Sequence, residues 1–594
     1  MLTLFLNSVP TKRFAQTMSG GSHVCGGAFL RALLVVALGV AAMTTRATTT
    51  ETLLPDGGAS YTLDPNEIIA AQDNAITSNP SPFTGADLGP IIGANRFYTA
   101  GYSGSGTIAY NIEAGHIWNG HETLGHVTTR TTGTGASGAY DYHATWVGML
   151  IGGRTVVSFP GAYQTGIATQ TDLRSGAIAT SWSGTADPGS FNTTNASTFS
   201  PYVTAFGTAD VINSSWGGTG TTAAAAGTDT TAIGLDGLAR ANPNTTFVAA
   251  AGNSGPTDNT VGSPGSGYNL ITVGAMTNSS NNYTAVASFS SRGAQTYQDP
   301  TTGTINLARA PVDIVAPGDT LTSALYGGTT GGNTGGTDPT GGSGAYYSGG
   351  IAGTSFSAPI VAGGVALMKG AAKSLSLPST SLDTRVVKAA LLNAADKTSG
   401  WNNGQTSISG VVTTPQSLDY AAGTGAMNLD RTYDQYLLGQ TDIAGTSGGT
   451  SGKTVGWDFA NVSLNGYTDI TLTSVFAASS TFTTTLDWFR DRTYTNATTV
   501  SDLAFANLNL QVWDSSFTTK LAESISLYNE VEHLSFLLAN DTALGLRVVY
   551  PSNLFGSVTS ESFGLAWAGS AAVPEPVSLG LLALGSLMLM RRRK

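Results

Sequence analysis

Residues 353–372 read GTSFSAPIVAGGVALMKGAA. A nucleophilic serine needs exposure on a sharp turn with a helix N-terminus behind it, where partial positive charge favours a developing oxyanion. Gly353 supplies the turn, Pro359 suits a first helical turn, and Gly363-Gly364 lets the helix pack deep in a core. Taken alone, such a helix start is ordinary. Its meaning depends on whether the chain also supplies a base, an acid and an oxyanion donor.

Outward from that helix, short apolar runs alternate with helix-like segments from about Ile91 to Leu438. Val248–Ala251, Ile271–Ala275 and Ile314–Ala316 are examples, each closed by Gly or Pro. Buried strands alternating with helices predict an α/β domain over 91–440, a mainly parallel sheet with helices on both faces. Gly327–Gly350 is a Gly/Thr-rich insertion whose single Asp rules out a calcium-binding glycine repeat. Residues 441–453, around AGTSGGTSGK, read as a flexible linker. Beyond it, Leu508, Leu510 and Val512 alternate with polar residues and no helix period appears. A separate β-sandwich is expected over 454–571.

The composition excludes whole classes of function. Only 11% of the 594 residues are charged, against roughly 25% in ordinary soluble domains. A net charge of -11 without an internal basic stripe argues against nucleic acid. Lys12, Arg13 and Arg31 precede an apolar run from Ala32 to Met43 and small residues up to Ala47, the order of a secretory signal over 1–47. That run falls short of the roughly 20 residues a membrane span needs. Residues 48–90 form a polar leader without a period. Cys25, the one cysteine, lies within the signal, so thiol and zinc–cysteine chemistry are excluded from the mature chain. At the other end, Pro574-Glu575-Pro576, an apolar stretch from Val577 to Met590 and Arg591–Lys594 resemble the PEP-CTERM sorting signal of Gram-negative bacteria over 573–594. That resemblance implies export to the cell surface or secretion, a partner in the sorting machinery, and transient membrane contact through the C-terminal helix. A plain tail anchor would also place the protein outside the cytoplasm.

The motif G-T-S-x-S-x-P at Gly353–Pro359 resembles the nucleophile motif of the subtilisin-like serine proteases, the subtilases. Of six histidines, His143 opens HATWVGMLIGG, which is similar to the family's H-G-T-x-V-A-G. Val248–Gly255, VAAAGNSG, resembles the segment whose asparagine donates its amide N–H to the tetrahedral oxyanion, here Asn253. Val211–Gly218, VINSSWGG, resembles the edge segment that pairs with an extended substrate, which assigns Ser215, Trp216 and Gly217 to substrate binding. Ala287–Gly293, Val315–Gly318 and Gly423–Ala426 also fit. An α/β-hydrolase would need G-x-S-x-G and a histidine after the serine, but Ser357 stands two after Ser355 and only His533 follows.

The family's first triad residue is an aspartate in a pattern like V-I-D-x-G, and here that slot reads Asn111-Ile112-Glu113-Ala114-Gly115. The resemblance therefore implies a Glu113–His143–Ser355 triad acting on protein or peptide substrates through an acyl-enzyme. Glutamate is one methylene longer than aspartate, roughly 1.5 Å. A glutamate that missed the imidazole would leave a catalytically impaired surface-binding protein, which is the alternative reading. No redox cofactor is implied; many subtilases bind structural calcium, and no ligand cluster in the sequence names a site for it. Trp488–Asp491, Leu508–Asp514 and Asn529–Leu534 resemble the jelly-roll-like C-terminal domains of secreted subtilases. These domains serve stabilisation, attachment to a surface or glycan, or spacing.

Overall fold

The computed structural model describes residues 50–53, 59–62 and 88–572, except 155–164, 184–189, 219–220, 280–281, 325, 327–346 and 444–448. The segments read as a secretory signal and a sorting signal, most of the leader, most of the Gly/Thr-rich insertion and the centre of the expected linker lie outside the described residues. The described residues belong to one compact unit.

The sequence predicts a mainly parallel sheet, and that sheet forms. Its strands are β1 (Ile108–Glu113), β2 (Arg130–Thr132), β3 (Asp172–Ala177), β4 (Val211–Ser214), β5 (Thr246–Ala250), β6 (Ile271–Ser279), β7 (Asn282–Val286) and β8 (Ile314–Pro317). Their order is β7-β6-β5-β4-β1-β3-β2, with β8 also on β6, and only the β6–β7 pair is antiparallel. Alternate residues of each strand enter separate cores. Ala109, Val211 and Val248 join one cluster, whereas Tyr110, Ile112, Ile212 and Phe247 join another. Both faces are therefore covered, which is why the strands read as continuous apolar runs.

Helices α1 (Tyr142–Gly152), α4 (Thr354–Ser374) and α5 (Thr384–Asn393) bury side chains in the first cluster. Helices α2 (Asn195–Phe206) and α3 (Thr230–Ala241) cover the second. The α4 helix is apolar and long enough to cross a membrane, yet it is buried from Thr354 to Ala372, as a core helix should be. Gly363 lets it do so: a Cβ there would lie 2.6 Å from Ile167 Cβ. One detail differs from expectation. The helix begins at Thr354, so Pro359 falls inside it rather than in the first turn. Lacking an N–H, Pro359 donates nothing to the Ser355 carbonyl four residues back.

Beyond residue 440 two further sheets stack as a sandwich. One includes Tyr467–Phe476, Thr499–Asp514 and Thr542–Phe555; the other includes Val455–Ser463, Thr481–Trp488, Val531–Leu537 and Ser560–Ala568. The boundary drawn at 440/441 is crossed, because Val411–Thr414 pairs with Lys520–Ser524 and extends the first of these sheets. Gln440–Thr441 and Gly449–Ser451 form strand where a linker is expected. The sandwich is also fused to the α/β part by buried charge. Arg492 Nη1 lies 2.9 Å from Asp236 on α3, and Asn269 exchanges hydrogen bonds with the Arg490 backbone.

Candidate active site

Chain order runs from β1 outward to β2 and β3, then returns to β4 on the other side of β1. The carboxyl ends of β1 and β4 thus flank a topological switch point, the place where open α/β sheets bind ligands. Glu113 closes β1 there, and Ser215 follows β4. A polar ladder spaces the elements around them. Asn213 Nδ2 donates to Asn111 Oδ1 at 3.1 Å and to Ser215 Oγ at 3.1 Å, while Asn111 Nδ2 donates to the Ala144 carbonyl on α1 at 3.1 Å.

Glu113 is only 1% exposed. Its Oε2 lies 3.1 Å from His143 Nδ1, and its Oε1 accepts the Ser215 N–H at 2.7 Å. Burial pushes this carboxyl above the ordinary range, opposed by the His143 hydrogen bond and charge and by the Ser215 N–H. His143 is the second residue of α1, whose N-cap is Asp141. The imidazole lies 5.8 Å, centroid to centroid, from the ring of Phe356, the residue after Ser355.

Ser355 stands in the first turn of α4, and its hydroxyl donates to the Ser215 carbonyl at 3.0 Å. The Ser215 residue therefore touches both acid and serine, N–H to one and C=O to the other. Close approach of β8 sets the turn itself. Gly353 N–H donates to the Gly318 carbonyl at 2.8 Å, and a Cβ on Gly318 would sit 2.2 Å from Ser357 Oγ. Ser357 ties the helix start to the same strand end through the Ala316 carbonyl at 3.1 Å.

Asn253 is fixed by the residue before the serine. Its Oδ1 accepts both the Thr354 N–H at 2.9 Å and the Thr354 hydroxyl at 3.1 Å, which assigns the amide orientation. Thr354 Oγ1 also accepts the Gly252 N–H, and Ser291 Oγ accepts the Ser254 N–H, each at 3.0 Å. A cleft of about 380 Å³, partly open to solvent, lies beside these groups and is lined by Ser215, Gly217, Gly252, Asn253 and Ser355 among others. Glycine is required at 217, where a Cβ would lie 2.5 Å from the Ser263 carbonyl oxygen.

The structure thus brings Asn253, Ser355 and the Ser215 to Gly218 segment to one cleft, and joins Glu113 to that segment through the Ser215 N–H and His143 to Glu113. Trp216 lines the cleft with its segment, while its side chain turns inward. Its ring is buried and its Nε1–H donates to the Ile112 carbonyl at 3.0 Å, which pins the segment onto β1. The holding roles of Ser215, Thr354 and Ser357 are missed by sequence reading, though all three lie inside motifs it singled out. His116 is a packing residue, bonded to Ser175 and Thr132 and pushed down to about 4 chiefly by burial. Among the described residues no group of three or more His, Cys, Asp or Glu side chains could hold a metal ion.

Residues 127–419 match the family described as Peptidase S8, subtilase family. A subtilisin of Bacillus sp. (strain TA39) is 39% identical over 88 residues, 15% of this chain and 20% of the length of that protein. Similar solved structures include the self-cleaved protease domain of PatA, at 22% identity, TM-score 0.38, 56% coverage of this chain and 98% of that one. MycP1 from the ESX-1 type VII secretion system is also similar, at 18% identity, TM-score 0.37, 66% coverage of this chain and 90% of that one. Glu113 precedes the matched residues, whereas His143, Asn253 and Ser355 fall inside them. The residues that match the subtilase family span just under half of the chain.

Proposed function

We propose that the protein is an exported serine endopeptidase that cleaves peptide bonds through an acyl-enzyme, with Glu113, His143 and Ser355 as its triad. The observation that carries this reading is the Glu113 carboxylate, bonded at once to His143 Nδ1 and to the Ser215 N–H. A carboxylate at Nδ1 fixes the tautomer and stabilises the imidazolium. His143 Nε2 takes the Ser355 proton as Oγ attacks the peptide carbonyl. It then passes that proton to the leaving amine, and water completes the cycle. Asn253 Nδ2 and the Ser355 N–H hold the oxyanion. The backbone of Ser215, Trp216 and Gly217 pairs with the extended substrate. Walls made by Gly217, Gly218, Ala250 and Gly252 are uncharged, which favours a neutral side chain on the acyl side of the scissile bond.

Export rests on the two terminal segments, and the expected location is the surface or surroundings of a Gram-negative cell. The alternative, an impaired surface-binding protein, needs a glutamate that misses the imidazole, and the 3.1 Å contact speaks against it.

The test is covalent labelling of the purified full chain with a fluorophosphonate. Labelling should occur in the parent and vanish in Ser355→Ala. A parent that takes no label while folded returns the protein to the binding reading. Asn253→Ala should keep KM for a peptide substrate nearly unchanged and lower kcat by about 10²–10³, the loss found for the equivalent donor in subtilisin. An unchanged kcat would remove Asn253 from the oxyanion site.

A further inference from the structure

Two buried carboxylates, not one, stand near His143. We propose that Asp141 is a positioning residue for the reaction: it clamps the end of the strand that bears Glu113 to the start of the helix that bears His143, and its carboxylate adds a second buried negative charge beside the imidazole.

The clamp is visible in the backbone. His116 N–H donates to the Ala139 carbonyl at 2.8 Å and Asp141 N–H donates to the His116 carbonyl at 2.9 Å, a short parallel bridge. Gly115 passes so close that a Cβ there would lie 2.7 Å from Asp141 Cβ. On one side, Ala114 and Gly115 alone separate this bridge from Glu113. On the other, Tyr142 alone separates Asp141 from His143. The side chain completes the joint: Oδ2 accepts the Ala144 N–H at 3.3 Å as the N-cap of α1. The Asp141 carbonyl accepts the Thr145 hydroxyl at 2.7 Å, and the Thr145 Oγ1 in turn accepts the Trp118 N–H at 3.0 Å. The separation between strand end and helix start is therefore set here. That separation has to match a side chain one methylene longer than aspartate.

Charge gives the residue a second effect. His143 is faced by Glu113 from β1, by Asp141 from its own helix cap, and by the Phe356 ring from α4. Tyr202 on α2 lies behind Glu113, its hydroxyl bonded to Ser214. Asp141 is 1% exposed, and burial pushes it above the ordinary carboxylate range. A positive charge on His143 and the N–H groups of Tyr142, His143 and Ala144 pull it back. Asp141 thus holds negative charge best when the imidazolium forms, which is the moment Ser355 attacks.

This inference rests on the proposed triad, and the test separates the two. Asparagine caps a helix as well as aspartate does, so Asp141→Asn removes the charge and keeps the joint, whereas Asp141→Ala removes both. The readout is the rate of fluorophosphonate labelling of the full chain against pH, with thermal midpoints alongside. Loss of a nearby negative charge lowers the imidazole pKa. Asp141→Asn should therefore melt close to the parent, label about tenfold more slowly on its plateau, and show an acidic midpoint lower by about one pH unit. Asp141→Ala should also lose thermal stability. A parental midpoint and rate in Asp141→Asn would overturn the proposal and leave a helix cap only. Failure of the parent itself to label would instead bring down the triad reading, and this inference with it.

Discussion

Glu113→Gln is expected to slow labelling of Ser355 by about 10⁴-fold, with the fold intact. The amide has the same reach as the carboxylate, but it presents a donor as well as an acceptor and carries no charge to stabilise the imidazolium. Loss of the triad acid costs about 10⁴ in well-studied serine proteases. Glu113→Asp is the more informative change. The family pattern would make aspartate the better residue. Here, however, Oε2 and Oε1 already sit at 3.1 Å from His143 Nδ1 and 2.7 Å from the Ser215 nitrogen. Withdrawing the carboxylate by roughly 1.5 Å breaks both contacts unless β1 moves, and β1 is paired on both sides. Displacement of about 1 Å can cost 10²-fold, so Glu113→Asp should label about 10²-fold more slowly than the parent. Faster labelling in Glu113→Asp would show that the glutamate impairs the site, and would favour the binding reading.

The departure at Glu113 also shows what the sequence could and could not disclose. The parallel sheet was legible because β1, β4, β5 and β8 are buried on both faces and leave unbroken apolar runs. His143, Asn253 and Ser355 were legible because each sits in a motif whose small residues serve close approach, as Gly318 does beneath Ser357. That Glu113 reaches the imidazole was not legible. Reach depends on where a strand end lies relative to a helix start, and that is fixed by the bridge between His116 and Tyr140, which no local pattern announces. The task of the Trp216 ring was not legible either: a motif gives the position of a residue, while the direction of its ring is decided by the core it can fill. The boundary at 440 failed on long-range pairing, since Val411–Thr414 finds its partner at Lys520–Ser524. Motifs in the sandwich, Trp488–Asp491 and Asn529–Leu534, carried a likeness without a task. In the fold several of their charged residues turn to the α/β part.

Lys388→Met is expected to destabilise the whole unit by about 3–5 kcal/mol, the usual consequence of stripping a buried cluster of its counter-ion. Lys388, on α5, places Nζ 3.1 Å from Asp313 and 3.1 Å from Glu530, 3.5 Å from Asp487 and 2.8 Å from the Leu270 carbonyl oxygen. Asp313 belongs to the α/β part, whereas Asp487 and Glu530 belong to the sandwich. One lysine thus fastens two domains from the centre of their interface. Arg309 adds a second cation 3.7 Å from Glu530, and Arg385, itself paired with Asp383, acts on Asp487 as well, yet the carboxylates of this dry site still outnumber its cations by one. The excess is met by a proton. Asp487 has no hydrogen-bond partner on either oxygen among the described residues. Burial, with Glu530 and Asp313 beside it, holds its carboxyl well above the usual value against the pull of Lys388 and Arg385. Asp313 is pushed up to about 6, again mainly by burial. A carboxyl whose pKa is raised by folding contributes its stability below its unfolded value and loses it as pH climbs through the folded one. The thermal midpoint of the parent should therefore decline from about pH 4 through pH 6 on account of Asp313, and further above that as Asp487 gives up its proton. Asp487→Asn keeps the neutral form at every pH, so it should flatten the upper part of that decline and melt at or above the parent at pH 8. The measurement is a set of melting curves from pH 5 to 9 on parent, Lys388→Met and Asp487→Asn. An Asp487→Asn variant as unstable at pH 8 as Lys388→Met would mean that Asp487 is ionised in the native interface and held there by the cations around it.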